Sequence, residues 1–176
     1  MSLHTHYWDS SVFVAYFNDE PGRADIIESL LNDGTEGRLT IITSAFACVE
    51  VLKLKDQKHL SKENEEMISD FFEYPFIKLV DATRGVCVAA RHLIWKYPSL
   101  KPKDAVHLAS ALAYVDREYL DVLFSYDTDF LSLDGAITQR FHIKEPYIEQ
   151  LPLFQPPPSD NGKEDDQPPP EPQELL

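Results

Sequence analysis

The sequence predicts an α/β protein, a three-layer α/β/α sandwich around a central, mostly parallel sheet. Three observations carry this. Short stretches rich in β-branched and aromatic residues alternate with stretches whose apolar residues recur at helical spacing. Strands separated by helices pair in parallel and need cover on both faces. The chain has 176 residues, 43% of them hydrophobic, which is enough for one domain with a real core and hardly for two.

The elements follow in order. Tyr7 and Trp8 end a first strand that runs into Asp9, and Val12, Phe13, Val14, Tyr16 and Phe17 form a short apolar helix after it. Residues 23–32 read as an amphipathic helix with Ile26, Ile27, Leu30 and Leu31 on one face. Residues 39–43 are a β-branched strand, and Phe46, Ala47, Glu50, Val51 and Leu54 then return to helical spacing. Ser61 caps a further helix whose first turn carries Glu63, Glu65 and Glu66, where the positive helix end favours acids. Residues 76–80 are a strand. Val86, Ala89, Ala90, Leu93, Ile94 and Tyr97 mark a helix stopped by Pro98, and Pro102 suits the first turn of the next. Strands over 122–126 and 141–144 complete the domain, which is expected to span residues 1–154. Residues 155–176 hold two Pro-Pro-Pro runs and almost nothing apolar, and so predict a disordered, acidic, Pro-rich tail.

Charge and cysteines narrow the function classes. A net charge of −14 excludes nucleic-acid binding through bulk positive charge. Six acids against one lysine lie in residues 155–176, which leaves 24 acids against 15 Lys and Arg, or −9, for the rest. No apolar run is long enough to span a membrane. The first residues are polar and histidine-bearing, unlike a signal peptide. Cys48 and Cys87 show no disulfide or zinc spacing and are expected to be small buried residues in a reducing cytoplasm.

With thirty acids in the chain, the informative ones are those out of place. Asp9 is the only acid in the first eighteen residues and sits where an apolar strand meets a helix. Glu50 lies between Val49 and Val51, in line with Ala47 and Leu54. Asp104 is in the first turn of an alanine-rich helix, and Asp127 and Asp129 directly follow a strand. Each has a second reading: Asp9, Asp127 or Asp129 as a cap, Asp104 as a first-turn acid, Glu50 as half of an ion pair. Their coincidence in four segments favours a common site beyond the carboxyl ends of parallel strands. Two carboxylates about 5 Å apart repel by roughly 3 kcal/mol at an effective dielectric of about 20, so a cation is expected among them. All-oxygen donors favour Mg²⁺ or Mn²⁺ over zinc, and such ions assist phosphate-ester hydrolysis. His92 and His107 have no partner at ligand spacing and read as ordinary helix-face residues.

The segments YWDSSVFVAYF, ITSAFACVEVLK, LKPKDAVHLASAL and LFSYDTDFL together resemble the PIN-domain family, especially its VapC-type toxin branch. The resemblance runs from Tyr7 to Lys144. It implies a flavodoxin-like sandwich and a Mg²⁺- or Mn²⁺-dependent endoribonuclease, the toxin of a toxin-antitoxin pair. It further implies frequent homodimers, a protein antitoxin that blocks the site, and a cytoplasmic setting. Asp9, Glu50, Asp104 and Asp127 match the catalytic and metal-binding positions, Asp129 a further ligand position, and Ser10 and Ser125 supporting hydroxyls. Residues 82–103 hold five Lys and Arg and no acid; this stretch reads either as a solvated helix face or as an RNA-binding surface, with Lys101 and Lys103, beside Asp104, as the contacts. The alternative is a catalytically idle interaction module with a structural metal site. A haloacid-dehalogenase reading of Asp127-Thr128-Asp129 fails, because that motif belongs near a domain's start and Leu131 stands where Thr or Val is required.

Overall fold

A computed structural model describes residues 3–52 and 61–148 of the chain. Five strands form one sheet in the order β3-β2-β1-β4-β5, with every neighbouring pair parallel. They are β1 (His4–Trp8), β2 (Leu39–Ser44), β3 (Ile77–Val80), β4 (Val122–Phe124) and β5 (His142–Lys144). The helices are α1 (Ser10–Phe17), α2 (Ala24–Thr35), α3 (Ala47–Glu50), α4 (Lys62–Phe72), α5 (Arg84–Lys96), α6 (Pro102–Val115) and α7 (Thr128–Leu131).

Strand alternation sorts the core into two layers. Trp8, Leu39, Ile41, Val122 and Phe124 point to one face and pack against Val12, Phe13, Ile27, Leu30, Phe71 and Phe72 of α1, α2 and α4. Tyr7, Ile42, Leu123 and Ile143 point to the other and pack against Val86, Ala90, Ala105, Leu108 and Ala111 of α5 and α6. This is the expected α/β/α sandwich. The small side chains along α6 suit a helix buried this deeply.

The sheet order also sets where a site can form. From β1 the chain steps to β2 and β3 on one side, then returns to β4 and β5 on the other. The loops leaving β1 and β4 therefore diverge and open a crevice at their carboxyl ends.

Local chemistry sets several ends as expected. Ser61 accepts a hydrogen bond from Asn64 N at 3.2 Å and caps α4. Pro102 stands in the first turn of α6, where its missing N–H costs nothing.

Other expectations are corrected. The helix expected to continue beyond Glu50 is a single turn, because Val51 leaves helical geometry at φ −83, ψ 57; residues 53–60 lie outside the described residues. The strand after Asp121 ends at Phe124 rather than Tyr126, where Ser125 Oγ accepts from Asp127 N and turns the chain. Both cysteines are exposed, not buried. On α5 it is Val86 and Ala90 that face the core, and Cys87 is rotated off that stripe by the helical period. The Pro-rich tail, 155–176, lies outside the described residues.

Candidate functional site

Asp9 follows the last residue of β1 and is buried. Its Oδ1 accepts from Ser11 N at 2.7 Å and from Ser11 Oγ at 2.5 Å, so it caps α1. Its Oδ2 accepts from Ser125 Oγ at 2.6 Å, on the residue that follows β4. One carboxylate thus ties together the two diverging strands. Asp9 therefore acts as the cap of α1, with both lone pairs of Oδ1 taken by Ser11, while Oδ2 keeps one beyond the bond it accepts from Ser125.

Glu50 closes α3 after β2. Its Oε2 accepts from Ser10 Oγ at 2.6 Å and contacts His107 Nε2 at 2.7 Å, while Oε1 lies 3.5 Å from Lys103 Nζ. His107 Nδ1 in turn meets the Tyr7 hydroxyl at 3.1 Å, deep between β1 and α6. Asp104, one turn before His107, is buried, and its Oδ1 is 3.7 Å from Lys103 Nζ. Asp127 caps α7: its Oδ1 accepts from Asp129 N at 2.9 Å and its Oδ2 lies 3.3 Å from Lys101 Nζ. Asp129 reaches the same ammonium at 3.2 Å from the exposed rim.

Glu50 and Asp127 share a pattern. One oxygen is anchored by the fold, and the other faces a lysine ammonium. Four of the five acids therefore pair around two cations, Asp127 and Asp129 at Lys101 and Glu50 and Asp104 at Lys103, rather than converging on a point. Among the described residues, three ligating atoms come within 4.8 Å of one another only at His4, His6 and Asp121, at the opposite, amino end of the sheet's strands.

The electrostatics follow the burial. Burial pushes the Asp9 carboxyl up from its ordinary value, against the pull of His107 and of hydrogen bonds from Ser11 and Ser125. Burial also raises Asp104, opposed by Lys103 and reinforced by the charges of Asp127 and Asp9. For Glu50, burial is outweighed by hydrogen bonds from His107 and Ser10 and by the charge of Lys103, so its carboxyl is held low. Asp127 is likewise low, because the backbone N–H of Asp129 and the Lys101 ammonium outweigh its burial. Both lysines are raised: Lys101 by Asp129 and Asp127, and Lys103 by Asp104 and Glu50 against its own burial. Burial thus disfavours ionisation of Asp9 and Asp104, while their partners hold Glu50 and Asp127 ionised.

The structure thus brings together all the acids singled out in the sequence, with Ser10 and Ser125 between them. His107, read as a helix-face residue, is instead 1% exposed and braces Glu50. The available signal was its spacing: residues three apart on a helix share a face, so His107 had to follow Asp104 inward. Ser11, which follows Ser10 in the YWDSS segment, takes a role of its own: it holds Asp9 and also accepts from Tyr126 N at 2.8 Å.

A parallel sandwich with clustered carboxylates at its strand switch defines an acid-lined α/β domain. The PIN domain matches residues 7–136, and the chain belongs to that family, whose members are generally nucleases. A chain in the crystal structure of VapBC2 from Rickettsia felis, bound to a DNA fragment from their promoter, shares the fold. The TM-score is 0.55 at 13% identity, covering 80% of this chain and 98% of that one. Among curated proteins none matches the sequence.

Proposed function

We propose that the protein is a Mg²⁺- or Mn²⁺-dependent endoribonuclease that hydrolyses RNA phosphodiester bonds, acting as the toxin of a toxin-antitoxin pair. The observation that carries it is the pairing of anchored and free carboxylate oxygens around two ammonium groups. A fold that positions acids this way invests hydroxyls, an imidazole and a backbone N–H in orienting negative charge toward one crevice.

The donor set fits a hard divalent cation, since it consists of carboxylate oxygens with hydroxyls behind them and no sulfur. Asp9, Glu50, Asp104 and Asp127 would hold one or two ions, with Asp129 as a further ligand at the rim. Such an ion activates water and offsets charge on the attacked phosphate. The protein's own groups do the rest. Ser125 fixes Asp9 and also supports the turn to Asp127 through its contact with Asp127 N at 3.0 Å. His107 and Ser10 hold Glu50 Oε2, which leaves Oε1 to face the crevice. Lys101 and Lys103 are half-exposed, and their long stems let each ammonium turn from a carboxylate to a phosphate. That answers how an acidic protein approaches RNA: the docking charge is local. Among the described residues no helix is long and apolar enough to cross a membrane, and a cytoplasmic setting is part of the proposal. The likeness to the VapBC2 complex supports an antitoxin as partner, and the family resemblance supports a homodimer.

Purified Asp9→Asn, Glu50→Gln, Asp104→Asn and Asp127→Asn are each expected to lose nearly all Mg²⁺- or Mn²⁺-dependent cleavage of RNA while remaining folded, with Asp129→Asn milder. Chelation should abolish cleavage by the wild type. Wild-type cleavage by any two of the first four variants would overturn the assignment. A folded wild type that cleaves no RNA with either ion would favour the idle interaction module.

A further inference from the structure

The amino end of the sheet carries a second cluster that the nuclease reading does not use. β1 begins with His4-Thr5-His6, and alternation puts both imidazoles on one face of the strand. Asp121 directly precedes β4 and is locked to β1 between them. Its backbone N–H donates to Thr5 O at 2.9 Å, and its Oδ2 accepts from Thr5 N at 2.6 Å. One ring nitrogen from each histidine and one Asp121 oxygen lie within 4.8 Å of one another, all half-buried.

We infer that His4, His6 and Asp121 form a binding site for a borderline transition-metal cation, Zn²⁺ or Co²⁺, at the amino end of the sheet. Two imidazoles and a carboxylate are a donor set for such an ion rather than for Mg²⁺. Metal–ligand bonds of about 2.1 Å in a tetrahedron set ligand atoms about 3.4 Å apart, and rotation of His4 at the strand's start closes the remaining gap. The fourth place falls to water.

Two further observations point the same way. His6 Nδ1 is shielded from solvent and has no hydrogen-bond partner among the described residues, so that nitrogen is buried without the bond that normally justifies burying it. The ring is held edge-on against Phe124 at 4.9 Å between centroids, which fixes its orientation before any ion arrives. An ion here would join the start of β1 to the start of β4. These are the two strands whose far ends carry Asp9 and Ser125.

The test is Co²⁺ titration of the full chain, followed by visible absorption, with Zn²⁺ and Mg²⁺ as competitors. Expected is a His-dependent band that Zn²⁺ displaces, that excess Mg²⁺ does not, and that Asp9→Asn retains. His4→Gln and Asp121→Asn should each weaken Co²⁺ binding at least roughly ten-fold, since losing a ligand costs no less than losing its hydrogen-bond support. In the Asp9→Asn background, micromolar Zn²⁺ should raise the melting temperature, and adding His4→Gln should remove that rise. A band unchanged in His4→Gln, or lost in Asp9→Asn alone, would overturn the site. Neither result bears on RNA cleavage, so this inference and the nuclease reading fail separately.

Discussion

The two ends of β1 solve opposite electrostatic problems. At its carboxyl end Asp9 joins four other acids, and the fold spends hydroxyls, an imidazole and two lysines on orienting them. At its amino end His4 and His6 stand beside Asp121, with Asp33 also acting on His6, and His6 Nδ1 has no hydrogen-bond partner among the described residues. One end is built to hold charge in place, and the other keeps a ring uncharged. The difference teaches that burial acts on both ends alike, and that the partners decide the outcome. Burial raises Asp9 and lowers His6, in each case disfavouring the ion. Only where donors converge, as on Glu50, does the charged form win.

The largest effect that sharpens this contrast is a pH dependence, measured in chelator by urea unfolding. His6 has a folded pKa of about 4, below its ordinary value of about 6.5. Its contribution is therefore present above the ordinary value and is lost as pH falls toward the folded one, up to about 3 kcal/mol. Asp9 and Asp104 have the opposite sign. Their folded values lie above the ordinary one, so ionising them costs the fold, and stability rises as pH falls toward the usual aspartate range. His6→Gln should flatten the acid loss between pH about 6.5 and about 4, and Asp9→Asn should steepen it. Parallel profiles for the two variants would break the comparison.

Next in size is the brace between the two core layers. His107→Leu keeps the volume roughly but leaves Glu50 with one anchor fewer and the Tyr7 hydroxyl short of a partner. It should cost about 2 kcal/mol, or roughly 4–8 °C in melting temperature for a domain of this size. It should also reduce cleavage, since Glu50 is no longer oriented. Wild-type stability and cleavage in His107→Leu would show that the imidazole positions nothing.

The smallest effect concerns the lysines. In an Asp9→Asn background, replacing Lys101 and Lys103 by Gln should weaken RNA binding and lower the slope of affinity against salt by about one for each lysine. Their loss should leave Zn²⁺ or Co²⁺ binding at the amino end untouched. An unchanged salt slope would remove the lysines from the RNA surface.

Much of this was legible in the sequence, for a physical reason. Helix and strand periodicities are local, so the alternating layers, the Ser61 cap and the Pro102 start could be read directly. Asp9, Glu50, Asp104 and Asp127 stood out because ionised groups are rare beside apolar stretches. Boundaries were less legible where a side chain takes over from the backbone, as at Ser125, or where helical spacing continues past a turn that the backbone leaves, as at Val51.

What the sequence determined by itself is the α/β class and the identity of the acids, since pattern and composition carry both. What only the tertiary structure decided is who meets whom. His107 becomes the support of Glu50 because α6 crosses β1 and β2 with that face inward. Lys101 and Lys103 meet the acids because the start of α6 lies over the ends of other strands. Cys48 and Cys87 fall outside because the helical stripe that packs is the neighbouring one. His4 and His6 meet Asp121 only because β4 lies beside β1. Contacts across tens of residues depend on strand order, and strand order is a property of the packed whole.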